Sequence, residues 1–341
     1  MGRGIFIVNA TNGNLLYRFG PDADANRQVT TMQYAIPADV VVLNRDRDST
    51  RVLPGRESIQ PLLSGFIDRV YAVDTGGNVW RLDLDSATPA SWLVTKLASL
   101  SGTALADKRK FLFPPDVVFG SDAGGNYDAV LLGSGDREHP FDTTVTDRFY
   151  MLKDRKTGLD SSGHATILDS TFDACSNPNG LFDATNNCLQ DRILCASGSE
   201  ALLDATAALL ASPGWKLTLR PGEKDVGTAT TLAGTTFFNT NQPSGSAGGG
   251  SCGSNLGIAR QYLVSFADAT ATTNLNQTSG LTTANRSTIV AGGGFLPSPV
   301  PLIVEINGQK YQAVISGTQI QSPGGLKLEA RVRSYWYRKI E

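Results

Sequence analysis

Histidine is almost missing from this sequence: there are two in 341 residues, His139 and His164. That scarcity leaves little room for histidine-based metal centres or for Ser-His-Asp chemistry. No run of about 18 apolar residues occurs, which excludes a transmembrane helix. An excess of one charge is missing too. Lys and Arg total 30 against 32 Asp and Glu, a net −2, and a nucleic-acid binder would show a basic surplus or patch. The opening Met1–Ala10 lacks the apolar stretch of a secretion signal and reads as a strand. On this reading the chain is either cytosolic or a fragment of an exported protein.

Other residues are plentiful. Hydrophobic residues make up 40% of the chain, enough to fill a core and exclude wholesale disorder. The 36 Gly and 16 Pro mark a chain rich in turns. The four cysteines, Cys175, Cys188, Cys195 and Cys252, form no C-x-x-C and have no histidine at ligand spacing. Zinc is therefore disfavoured, and two disulfides in an oxidising compartment are expected. Of the three possible pairings, Cys175–Cys188 with Cys195–Cys252 is the expectation.

Helical periodicity stands out once. Ser197 and Glu200 have the spacing of a capping box. Leu202, Leu203, Leu209 and Leu210 then share one face with Thr206, and Ser212-Pro213-Gly214 stops the helix. Elsewhere short apolar runs alternate with turns, and four of them are alike. Ile5–Phe19 is strand, turn at Thr11-Asn12-Gly13, strand; Val70–Asp83 repeats it with Thr75-Gly76-Gly77 at the turn. Phe149–Gly158 and Tyr262–Thr270 give the first half again. Asn-Gly and Gly-Gly supply the positive φ that tight hairpins need. Such hairpins cannot bury both faces alone, and stacking them radially makes a β-propeller. The spacing of the repeats allows four or five blades with large insertions; an all-β sandwich is the competing fold. Insertions are expected at 49–64, 159–212 and 241–255, the last too flexible in composition and too poor in context to be a phosphate loop.

Acidic residues concentrate at one place. Asn44, Asp46 and Asp48 alternate, and after the 49–64 detour come Gly65, Phe66, Ile67 and Asp68. With the detour removed, these are the first nine positions of an EF-hand-like loop. Asn44, Asp46, Asp48 and Asp68 are then side-chain ligands to Ca2+, and Phe66 a backbone ligand. A hard cation takes six to eight oxygens, and carboxylates crowded without one repel each other. Tyr71 falls where such a loop before a helix would carry its bidentate Glu. The alternative is a solvated turn in which Arg45 and Arg47 pair with the carboxylates. A second acidic stretch, Asp122–Asp128, reads as an ordinary turn.

Several motifs resemble one family. Gly133-Ser-Gly-Asp136-Arg-Glu-His-Pro140 followed by Asp147–Asp154 is similar to the C-terminal propeller domain of the type IV pilus tip-associated adhesins, the PilC/PilY family. The resemblance extends through Asp68–Asp83, Gly214–Leu217 with Pro221–Lys224, Cys252 with Ala259–Tyr262, Gly292–Pro299 and Tyr335–Arg338. It implies a modified, quinoprotein-like propeller over 1–341, or part of one. Its bound calcium would regulate pilus extension and retraction, with roles in surface attachment, twitching motility and pilus biogenesis. The implied partners are the pilus with its minor pilins, and a host or abiotic surface. The implied location is the pilus tip at the bacterial cell surface, reached through the periplasm and outer membrane. The chain then looks like the C-terminal part of a longer adhesin, or a shortened homologue.

Two enzymatic readings compete. A quinone-dependent propeller dehydrogenase shares the repeat style, but no vicinal cysteine pair and no polar cluster recurring across blades accompanies it. A hydrolase built on His139 with Asp136 and Glu138 lacks a nucleophile in a recognisable elbow. Asp136, Arg137 and Glu138 read instead as a local polar network at a blade junction, and the chain as no enzyme.

Overall fold

The computed structural model describes residues 2–44, 67–84, 86, 88–155, 165–186, 188–191, 199–244, 256–275, 280–306, 309–317 and 319–321. They form five sheets. The first holds β1 (Ile5–Val8), β2 (Leu15–Gly20) and β3 (Arg27–Gln28). The second is a meander of β4 (Val41–Leu43), β5 (Arg69–Val73), β6 (Asn78–Asp83) and β7 (Leu93–Ser99). The third begins with β8 (Asp116–Asp122), β9 (Gly125–Gly133) and β10 (Arg148–Asp154). A long excursion follows through β11 (Ile167–Leu168), β12 (Phe182–Asp183) and α1 (Ser199–Ala211), before β13 (Gly214–Thr218) completes that sheet. The fourth contains β14 (Lys224–Asp225), β15 (Thr230–Leu232), β16 (Thr235–Gln242), β17 (Ile258–Ser265) and β18 (Ser287–Val290). The fifth is β19 (Val300–Ile306), β20 (Gln309–Ser316) and β21 (Gln319–Gln321).

The central strands are buried on both faces, and the two-residue period of a strand divides their side chains between two neighbours. In β5, Val70 and Ala72 pack with Phe19 of the first sheet, while Tyr71 and Val73 pack with Val130 and Leu152 of the third. In β10, Tyr150 and Leu152 face the second sheet; Phe149 and Met151 face Phe238 and Tyr262 of the fourth. In β16, Phe238 faces back while Phe237 turns to Val314 of the fifth. The second, third and fourth sheets are thus apolar on both sides because each is the filling between its predecessor and successor. That face-to-face stacking in chain order makes an all-β, propeller-like fold, with five sheets among the described residues.

Local chemistry fixes the hairpins. Between β5 and β6, the buried Asp74 carboxylate accepts from the Gly76 and Asn78 amides at 2.8 and 2.9 Å and from the Trp80 indole at 2.8 Å. Gly77 takes φ +77° there, and a Cβ on it would lie 2.4 Å from the Ser101 Cβ. Glycine is required twice over, by backbone sign and by space.

Three expectations need correction. The 159–212 segment is more than a detachable insertion: β11 pairs in parallel with β7, and β12 with β13. It covers the edges of two sheets, which otherwise present unpaired backbone groups. The helix forms, but Leu210 is 43% exposed while Leu209 is buried, so they do not share the docking face. Its C-terminal end is held instead by Lys153, whose ammonium donates to the Leu209 carbonyl at 2.9 Å. Ser197 of the expected cap lies outside the described residues. The third insertion starts later than 241, because Asn241 and Gln242 still pair with Ala259 and Ile258.

No disulfide joins Cys175 to Cys188: Cys175 is exposed and Cys188 half-buried. Cys175 sits in a tight turn organised by Asp173, whose carboxylate accepts from the Cys175 and Ser176 amides at 3.0 and 2.7 Å. Cys195 and Cys252 lie outside the described residues. Among the described residues no helix is long and apolar enough to cross a membrane.

Candidate functional site

The expected calcium loop is anchored by β4 and β5. Leu43 lies opposite Arg69, and the Asp68 amide donates to the Leu43 carbonyl at 3.0 Å. Asn44 and Asp68 therefore stand side by side where the chain leaves this hairpin and where it returns. Asp68 is buried. Asp46, Asp48 and Phe66 lie outside the described residues, as does the 49–64 detour. The structure thus brings together the first and last of the expected ligands. One Asn, three Asp and a carbonyl are the all-oxygen donors that suit a hard cation.

Beside this anchor lies a feature that the motif reading missed. Arg69, Tyr71, Arg81 and Asp83 of the second sheet meet Asp128 and Asp154 of the third, all buried. Arg69 donates to Asp83 and to Asp128 at 3.1 Å each. Arg81 donates to Asp154 at 2.8 Å and to Asp83 at 3.1 Å. The Tyr71 hydroxyl lies 2.6 Å from Asp154 Oδ2 and 3.0 Å from Asp128 Oδ2. Burial, with Asp154 and Asp128 beside it, raises the Tyr71 phenol well above its usual range, so it stays a neutral donor. Burial alone would depress Arg69, but the anionic groups around it overcome that and keep it charged. Part of the signal was present in the sequence: Arg81 and Asp83 stand at alternate positions inside β6, a strand too apolar for a solvent face.

The Gly133–Pro140 motif forms a hub. Lys110 Nζ and His139 Nδ1 approach Asp136 Oδ2 at 2.6 and 2.9 Å. Despite its partial burial, these two partners hold Asp136 below the usual carboxylate range. Asp136, Glu138 and His139 stand close enough to suggest a metal, but a lysine already occupies the central carboxylate. The Arg137 guanidinium lies 5.0 Å above the Phe295 ring. The motif therefore cross-links distant segments through Asp136 and Arg137, while Glu138 of the expected network is exposed. Within Asp122–Asp128 only Ala123 and Gly124 form the turn, between β8 and β9: Asp122 ends β8 and is paired with Arg155 at 2.7 Å and Lys153 at 3.1 Å, while Asp128 lies inside β9 and belongs to the buried network.

Stacked meanders with buried polar seams define a propeller-like class of all-β fold. Comparison with known proteins agrees on the architecture. The chain is similar to the C-terminal domain of PilY1 from Pseudomonas aeruginosa, with TM-score 0.58, 13% identity and 94% of this chain covered. It spans 66% of the length of that chain, just under two thirds. At this identity the likeness is one of fold, and at that level it meets the resemblance carried by the motifs. No protein-family model matches the sequence, and no curated protein matches it.

Proposed function

We propose that this chain is the calcium-responsive propeller of a type IV pilus adhesin and biogenesis factor, and that it works by binding rather than by catalysis. The observation that carries the reading is the pairing of Leu43 with Arg69, which sets Asn44 beside Asp68. Its fold likeness to the PilY1 domain supports the pilus context.

On this reading Asn44, Asp46, Asp48 and Asp68 hold the ion through side-chain oxygens, and Phe66 through its carbonyl. The dication supplies positive charge that relieves repulsion among the carboxylates. Extracellular calcium modules bind at about 10⁻⁴ to 10⁻³ M, so occupancy would follow external calcium. Asp68 directly precedes the strand that carries Arg69 and Tyr71, so ion binding would be mechanically continuous with the seam between the second and third sheets. The proposed location is the pilus at the bacterial cell surface, with minor pilins and a host or abiotic surface as partners.

Calorimetric titration of calcium into the chain, beside Asp46→Ala/Asp48→Ala, tests this. One saturable site abolished in the variant is expected. Undiminished binding in the variant would remove the ligand assignment, and no binding in either protein would remove the calcium-responsive function.

A further inference from the structure

Ser134 joins two sheets. It follows β9, and its hydroxyl donates to Asp147 Oδ1 at 2.7 Å while accepting from the Arg148 amide at 2.9 Å. Its carbonyl accepts from the Asp225 amide at 3.0 Å, and Asp225 belongs to β14 of the next sheet. The Asp225 side chain lies directly over Gly133: a Cβ built there would come within 2.2 Å of Asp225 Oδ2. Two buried carboxyl groups are thereby fixed on either side of one residue, at the seam between the third and fourth sheets.

Neither carboxyl is fully satisfied. Asp147 Oδ2 and Asp225 Oδ1 are buried without a hydrogen-bond partner. The nearby cations are committed elsewhere. Lys224 Nζ donates to the carbonyls of Asp142 and Gly222. Arg109 donates to the Thr146 carbonyl at 2.7 Å and to Asp169 and Asp107 at 2.8 and 2.9 Å. Lys110 is held by Asp136. The charges that act on Asp147 are Lys224 and Arg109 in its favour and Asp136 against; Asp225 receives backbone N–H groups of Val226 and Gly227 and is opposed by Asp147. Burial dominates both, pushing Asp147 up to about 6 and Asp225 well above the usual carboxylate range. A buried charge without a full set of partners is costly, and the group takes a proton instead.

We propose that the Asp147–Ser134–Asp225 joint is a proton-gated latch, closed while its carboxyls are neutral and loosened when a negative charge is placed in the seam. The sign follows from linkage. A carboxyl with a raised folded-state pKa adds stability in acid, and that stability is lost as pH rises from the unfolded value near 4 through the folded one. The propeller would grip more firmly in a mildly acidic setting and yield at the third–fourth sheet seam near neutrality. This gate is remote in sequence from the proposed calcium loop and does not depend on it.

Denaturant unfolding between pH 4 and 7, with amide exchange resolved by segment, tests the latch on the whole chain. The unfolding constant of the wild type is expected to rise about a hundredfold over this range from Asp147 alone. Exchange corrected for its intrinsic pH dependence should accelerate around 133–135 and 224–226, with 69–83 unchanged. Asp147→Asn/Asp225→Asn should flatten the pH slope. A flat wild-type profile, the same slope in the double variant, or acceleration spread evenly over all five sheets would overturn the proposal. If the double variant fails to fold, the segment-resolved exchange of the wild type decides alone.

Discussion

The Tyr71 hydroxyl lies 2.6 Å from Oδ2 of Asp154, although the two residues are 83 apart in sequence and sit in different sheets. The sheets on either side of that contact are therefore joined by more than apolar packing. With Arg69 and Arg81 facing Asp83, Asp128 and Asp154, the seam holds two cations and three carboxylates, and its hydrogen bonds are directional. Apolar side chains tolerate sliding; this arrangement does not, because displacement leaves a buried charge without its partner.

Tyr71→Phe isolates this effect. The ring remains and the hydroxyl goes, leaving Asp154 without that donor. A hydrogen bond to a charged group contributes about 1.5–3 kcal/mol, and a loss of that order should appear in the denaturant midpoint. Arg81→Met should cost more, about 3–5 kcal/mol, because it strands buried carboxylates. If Arg81→Met proved neutral, the seam would owe its stability to packing alone.

At the next seam the rings of Phe149, Phe238 and Tyr262 stack, with centroids 3.8 and 4.5 Å apart and planes inclined by 11° in each case. Three strands from two sheets share this column. Phe238→Ala removes its middle ring and should lower stability by about 3–5 kcal/mol. Phe238→Leu, which refills part of the volume, should lose less. Chemical unfolding of both variants checks the order, and equal losses would show that stacking rather than volume sets the cost.

Two glycines separate backbone strain from crowding. Gly13 has φ +74° with nothing within 4 Å of an added Cβ, whereas Gly77 has φ +77° with Ser101 in the way. Gly13→Ala should cost about 1 kcal/mol from the left-handed conformation alone. Gly77→Ala should cost clearly more, because the Ser101 segment must also move. Thermal midpoints of the two variants measure the difference, and equal shifts would mean that the 75–78 turn relaxes freely.

How much of this was legible in the sequence depends on range. The hairpins β1–β2 and β5–β6 announced themselves because their turns carry Asn-Gly and Gly-Gly between apolar runs. The strand pair β9–β10 was read only in pieces, since 14 residues separate Gly133 from Arg148 and no tight turn marks the link. The sequence of the fifth sheet carries the same signal, Asn307-Gly308 between two apolar runs, which lies outside the four blade-like repeats read from the sequence; β11 and β12 are two residues long, too short for any periodicity. Within the candidate site, the nearness of Asn44 to Asp68 agrees with the ligand spacing read from the sequence, and their role as ligands is the proposal. Asp128 and Asp154 were not legible, because their function comes from strands meeting across a seam, which local spacing cannot encode. Leu210 shows the reverse error: periodicity placed it with Leu209, but 100° of rotation separates consecutive helical residues, and here that turns it to solvent.

The two acid limbs of stability should oppose one another. Burial pushes Asp122 upward, but Arg155 and Lys153 outweigh it and hold the carboxyl at about 2. A depressed folded-state pKa contributes stability above the unfolded value near 4 and loses it as pH falls toward 2. Asp147, raised to about 6, acts in the opposite sense between pH 4 and 6. Unfolding midpoints across pH 2–7 should accordingly pass through a maximum near pH 4. Asp122→Asn should flatten the limb below that maximum without changing the slope above it, while Asp147→Asn should do the converse. A maximum displaced above pH 6 would mean that other paired carboxylates outweigh Asp147. Because Asp122 and Asp147 make their contacts in different places, their effects should add in the double variant.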